Sequence, residues 1–107
     1  LDLEPNDGFI LDTFGWILYK KGDVKGSIKA LEAAVKKQPT ESVIAEHLGD
    51  AYYKNQLVEK ARQMYRRAAE AESDEAKSKA IRAKITALDR QQMQLSSERK
   101  PASADTP

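Results

Sequence analysis

Leu11-Asp12-Thr13-Phe14-Gly15-Trp16-Ile17-Leu18-Tyr19-Lys20 returns one period later as Ala45-Glu46-His47-Leu48-Gly49-Asp50-Ala51-Tyr52-Tyr53-Lys54. The offset is 34 residues (11 against 45), and it holds outside this stretch. Ser27-x3-Leu31 returns as Ala61-x3-Tyr65, Ala34 as Ala68, and Pro5 and Pro39 share a phase. A fixed period of this length belongs to helical repeat arrays, in which each helix pair buries its apolar face only against its neighbours. The expected fold class is therefore all-α, an α-solenoid of helix-turn-helix units.

The helix boundaries follow from local chemistry. Asn6 or Asp7 can cap a first helix that ends near Lys21, where Gly22 tolerates a left-handed turn and Asp23 caps the next helix. Val24, Ile28, Leu31 and Val35 form one face of the second helix, which stops at Gln38-Pro39-Thr40. The third helix spans about Ser42 to Lys54, with Ile44, Leu48, Ala51 and Tyr52 on its buried side. The fourth begins after Leu57, which offers no side-chain cap, and turns Val58, Ala61, Tyr65 and Ala68 inward. Ser73-Asp74-Glu75 opens a fifth helix with a narrow stripe of Ile81, Ile85, Leu88 and Leu95. From Ser96 the sequence has no periodicity, and residues 96–107 are expected to be disordered. The first helix stands apart, because Phe9, Ile10, Leu11, Phe14, Trp16, Ile17, Leu18 and Tyr19 leave it almost no polar side.

These positions resemble the tetratricopeptide repeat, a helix-turn-helix unit written W-x2-L-G-x2-Y…A-x3-F…P. The resemblance covers residues 1–75, as the end of a preceding repeat at 1–7 and units at 8–41 and 42–75. The helix at 76–95 resembles the family's C-terminal capping helix. Leu11 and Ala45 replace Trp, Ser27 replaces Ala, and Ser73 replaces Pro. In this pattern Gly15, Gly49, Ala34 and Ala68 allow close helix approach, while Phe14, Leu18, Leu31, Leu48, Tyr52 and Tyr65 fill the space between helices. The chain thus reads as the C-terminal repeats of a longer array. Its LDTFGW and HLGDAYY wording looks like repeats of bacterial proteins, many of them exported or lipid-anchored assembly factors.

The resemblance implies a protein-interaction scaffold whose first helices line a concave groove. The residues mapping to that groove are Phe9, Asp12, Trp16, Tyr19 and Lys20, then Val43, Glu46, Asp50, Tyr53 and Lys54. The spacing of Phe9, Asp12, Trp16 and Tyr19 independently places them on one helical stripe. Each has a plainer reading: Trp16 as packing between units, Tyr19 and Tyr53 as packing with the hydroxyl at the rim, and Asp12, Glu46 and Asp50 as a solvated face. Family members that clamp a terminal carboxylate use Lys and Asn in the groove. The carboxylates here would repel such a tail, so a neutral or basic peptide or helix is the expected ligand. A homodimer through the apolar first helix, or a larger self-assembling scaffold, is the second expectation.

Composition narrows the remaining classes. The chain has 107 residues, 40% of them hydrophobic and 33% charged, with a net charge of +1. Nothing in this balance calls for nucleic acid. Residues 1–75 carry 11 basic against 14 acidic side chains, whereas 76–100 carry 7 against 2. The basic segment Lys77–Arg90 reads first as a solvated outer face. Anionic lipid comes second, without aromatic anchors, and nucleic acid third, without stacking partners. No apolar run approaches the roughly 20 residues of a membrane span. With no cysteine, thiolate chemistry is excluded, and cytoplasm and periplasm fit equally. His47 is the only histidine, so neither a metal site nor a catalytic dyad is expected, and a surface pair with Asp50 at i+3 is its simplest use. Isolated glycines make no phosphate loop, and no cofactor or enzymatic activity is expected.

Overall fold

The computed structural model describes residues 7–104, with side chains described for residues 7–97. Five helices follow in order: α1 (Gly8–Lys21), α2 (Val24–Lys37), α3 (Ser42–Lys54), α4 (Val58–Ala71) and α5 (Glu75–Ala104). Among the described residues there is no strand. α1 packs on α2 and α3 on α4 as two hairpins, with α2 against α3 joining them and α5 lying on α4.

The turns are built from the residues that the repeat pattern places there. The Asp7 carboxylate accepts the Phe9 N–H at 2.8 Å, and Asp23 accepts the Gly26 N–H at 3.0 Å. Gly22 sits at φ 93°, a left-handed conformation that costs a residue with a Cβ about 1–2 kcal/mol. In the second corner the same geometry falls one residue past Asn55, on Gln56 at φ 64°, so this turn carries backbone strain that the first avoids. α3 and α4 lack side-chain caps. The start of α3 is held otherwise: the Ser42 hydroxyl donates to Glu72 at 2.8 Å, and the second Glu72 oxygen accepts the Asp74 N–H at 3.0 Å. One carboxylate thereby ties the head of α3 to the α4–α5 turn, and these hydrogen bonds hold its pKa below the usual value.

Close helix approach depends on two glycines. A methyl group on Gly15 would lie 2.8 Å from Leu31 Cγ, and one on Gly49 would lie 2.6 Å from Tyr65 Cε1. Leu31, Ala34, Ile44, Ala51, Ala61 and Ala68 are sealed from solvent beside them, with Leu48, Tyr52 and Tyr65. Ser27 is also fully buried, and its hydroxyl has no hydrogen-bond partner. The matching position in the second hairpin is Ala61, which fills the same space without a polar atom.

Three expectations are corrected. Phe14 was assigned to the space between helices, yet it is exposed, and Leu18 is only half-buried. The equivalent Leu48 is covered because α2 precedes α3, whereas no described helix precedes α1. Leu95 is expected in the apolar stripe of α5, but Ile81 and Leu88 are buried and Leu95 is exposed, at the open edge of a recess that it shares with Tyr53, Lys54 and Val58. The chain from Ser96 was read as disordered, but α5 continues to Ala104. Extending an existing helix adds one hydrogen bond per residue without a new nucleation step, so a polar stretch can continue it without a core. Residues 1–6, expected to close a preceding repeat, and residues 105–107 lie outside the described residues.

Two substitutions test this packing by chemical denaturation. Ser27→Ala removes the unpartnered buried hydroxyl and should stabilise the fold by about 1–2 kcal/mol. Gly49→Ala should destabilise it by roughly 1–3 kcal/mol through overpacking against Tyr65, against a helix-propensity gain of about 1 kcal/mol.

Candidate functional site

α1, α3 and α5 contribute to one continuous face, and most of the sequence-derived site residues meet there. On the α1–α3 side the indole of Trp16 stacks on the Tyr19 ring, with centroids 4.5 Å apart and planes within 4°. The His47 imidazole stacks on the same indole at 4.0 Å and 17°. Its Nδ1 lies 2.8 Å from an oxygen of Asp12, which is itself buried. At the other end of the string, the Lys54 ammonium stands 6.0 Å from the centre of the Tyr19 ring. Stacked aromatic contacts contribute about 0.5–1.5 kcal/mol beyond their burial. This string therefore couples the two hairpins while leaving Trp16 and Tyr19 partly open to solvent.

On the α3–α5 side the organising group is the Lys84 ammonium. It lies 2.7 Å from Glu46 and 3.0 Å from Asp50. The same Asp50 oxygen accepts the Tyr65 hydroxyl at 2.5 Å, so α3, α4 and α5 converge on one carboxylate. The Lys84 ammonium also stands 5.4 Å from the centre of the Tyr65 ring. Burial alone would lower the Lys84 pKa, but the hydrogen bonds to Glu46 and Asp50 outweigh it and leave the pKa raised. The Tyr65 phenol is pushed well up, first by burial and then by its bond to Asp50. Tyr19 is raised as well, by burial and by Asp50, with Lys84 opposing. Further along, the Tyr53 hydroxyl donates to Gln91 at 3.0 Å, beside a recess of about 270 Å³ lined by Asp50, Tyr53, Tyr65, Lys84, Leu88 and Gln91.

The structure brings Asp12, Trp16, Tyr19, Glu46, Asp50, Tyr53 and Lys54 to this face. Phe9 borders a different groove with Ile10, Phe14 and Ile17. Val43 and Lys20 are exposed near the ends of their helices. The expected His47–Asp50 pair does not form, because His47 turns to Asp12 of α1 while Asp50 turns to Lys84 and Tyr65. Nor are Asp12, Glu46 and Asp50 a free solvated face, since each has a partner on another helix. Lys84 was read as part of a solvated basic segment and instead points inward. A signal for it existed: it continues the repeat phase that joins Trp16 to Asp50 (50 to 84 is again 34). Among the described residues, no group of three His, Cys, Asp or Glu side chains could hold a metal ion, and no helix is long and apolar enough to cross a membrane.

Because the folded-state pKa values of Tyr65 and Lys84 lie above their ordinary values of 10.0 and 10.5, their contribution to stability is full below about pH 10 and is lost as the pH rises through the raised values. The urea midpoint should therefore fall steeply above pH 10. Tyr65→Phe should cost about 0.5–1.5 kcal/mol at neutral pH and flatten that alkaline limb. An alkaline limb of unchanged slope in the variant would contradict the assignment.

Comparison with known proteins agrees with this architecture. No curated protein matches the sequence at a significant level. The family profile described as Tetratricopeptide repeat matches residues 13–76. This match takes in more than half of the chain, including both glycine contacts, the α1–α3 aromatic string and the start of α5. The chain belongs to the tetratricopeptide repeat family.

Proposed function

We propose that this chain is a non-catalytic protein-binding module whose ligand surface is the face shared by α1, α3 and α5. Tetratricopeptide repeats generally mediate protein–protein interaction and typically act as scaffolds. On this reading the repeat units are 8–41 and 42–75, and α5 takes the place of the next unit's first helix and closes the stack. The ligand is a peptide or helix lying across the concave side.

The observation that carries the reading is the stacked Tyr19–Trp16–His47 string, held rigidly between two hairpins yet still partly exposed. A preorganised aromatic surface binds with little loss of side-chain freedom, which is why Trp and Tyr dominate binding energetics. The polar groups around it narrow the ligand. Glu46 and Asp50 share the single positive charge of Lys84, and His47 gives Asp12 a hydrogen-bond partner, so the acidic character of the sequence is offset only in part within the face. A carboxylate tail would meet three acidic side chains, and a strongly basic segment would have to displace Lys84. A neutral segment with aromatic or aliphatic side chains, contacting Trp16, Tyr19 and Tyr53 with Lys54 at the rim, fits best.

Selection of peptides from a random display library against the chain provides the test. Selected peptides should be poor in Asp and Glu, and their affinity should fall at least about tenfold with Trp16→Ala or Tyr53→Ala, while Lys29→Ala on α2 changes nothing. Peptides that bind the Trp16→Ala and Tyr53→Ala variants as tightly as the parent chain would refute the surface assignment.

A further inference from the structure

The outer side of the two hairpins differs in charge from the inner face. α1 and α3 carry 3 basic against 3 acidic side chains, whereas α2 and α4 carry 8 against 3. Between α2 and α4 runs a groove of about 420 Å³, with Lys29, Glu32 and Lys36 on one wall, Arg67 on the other, and the buried Leu48, Tyr52 and Met64 at its floor. Walls and floor come from α2, α3 and α4, each with a described helix before and after it. The repeat does not impose the cations, since one period on Lys29 and Lys36 become Gln63 and Glu70.

The two walls present the same triplet. Lys29, Ala33 and Lys36 on α2 stand at i, i+4 and i+7, and so do Lys60, Met64 and Arg67 on α4. This spacing keeps each triplet on one helical stripe and sets its two cations about 10 Å apart. Among the described residues none of these four cations makes an ion pair. The Arg67 guanidinium donates to the Pro39 carbonyl at 3.2 Å, which holds it beside the end of α2, and the Lys60 ammonium stands 5.5 Å from the centre of the Tyr52 ring. Glu32, the one acidic residue lining the groove, already accepts the Tyr52 hydroxyl at 2.6 Å.

We infer that this groove binds an acidic amphipathic helix of a partner protein, whose apolar side chains sit on Leu48, Tyr52 and Met64 while its carboxylates meet the cations of the two walls. Charge complementarity carries the choice of partner. A helix with carboxylates at i and i+7 and an apolar residue at i+4 repeats the spacing of the walls with the opposite sign. The inner face would turn such a helix away with Asp12, Glu46 and Asp50, so the two surfaces take different ligands. Nucleic acid would lack a stacking partner, because Tyr52, the one aromatic residue lining the groove, is buried. A lipid surface would lack an anchor, since neither α2 nor α4 exposes a large apolar side chain.

Fluorescence anisotropy on the whole chain tests this, with an alanine-rich helical peptide of about 20 residues carrying Glu at i and i+7 and Leu at i+4. Binding should be micromolar at about 50 mM NaCl and at least tenfold weaker at about 0.5 M, where salt screens the pairs. Peptide selection on the inner face, run at that higher salt, therefore reads the inner face alone. Lys29→Glu together with Lys36→Glu should weaken binding at least tenfold with unchanged helicity, while Trp16→Ala leaves it as it was. In the unaltered chain, amide shifts on titration should fall on α2 and α4 rather than α5. No binding, equal binding of the same peptide with Lys in place of Glu, indifference to the double variant, or shifts confined to α3 and α5 would each overturn the inference. So would tighter binding of a single-stranded oligonucleotide or of phosphatidylserine vesicles.

Discussion

Tyr65 can lie where it does only because Gly49 has no side chain. The ring sits against the bare backbone of α3, at a distance where even a methyl group would meet it at 2.6 Å. That contact sets the hydroxyl against Asp50, Asp50 then accepts Lys84, and Lys84 reaches back to Glu46. A single close approach between α3 and α4 therefore fixes the polar cluster by which α5 is tied to α3. In the first hairpin Gly15 meets Leu31 in the same way, but Leu31 has no hydroxyl to hand the contact on. The two hairpins share a packing rule and differ in what they build upon it.

The two sides of the inner face are held by different physics. The α1–α3 side depends on parallel rings and one His–Asp contact, and its strength comes from area and polarisability. The α3–α5 side depends on one cation shared by two half-buried carboxylates, with a phenol as a third donor. Removing Lys84 would leave two carboxylates facing each other without a counterion, whereas removing His47 would leave Asp12 buried alone. Both arrangements give every carboxylate of the face a partner while one cation faces three carboxylates, and this balance is what turns the proposed ligand from a carboxylate tail into an apolar segment.

The helices and the core were legible in the sequence because their signals are periodic. Ile44, Leu48, Ala51 and Tyr52 had to share a face, and the Gly and Asp residues of the first corner act where their chemistry requires. The environment of a repeated position was less legible, since it depends on the neighbour rather than on the residue. Phe14 and Leu48 have the same phase, yet among the described residues only Leu48 has a helix in front of it. Cross-helix partners were hidden for a related reason. Spacing along one helix suggests His47 with Asp50, but the rotation of α3 between its neighbours turns these two side chains toward different helices. The continuation of α5 past Ser96 left no trace in hydrophobic periodicity, because a helix can propagate from an existing one without an apolar stripe of its own.

The most direct test of this account is amide hydrogen exchange across α5 in the intact chain and in Lys84→Met. Methionine keeps most of the length and apolar stem of lysine but removes the charge that joins Glu46 to Asp50. The account predicts that amides from Ser78 to Leu88 exchange at least tenfold faster in the variant, while α1 and α2 keep their protection. Unchanged protection of α5 would contradict the claim that the Tyr65–Asp50–Lys84 cluster holds it in place.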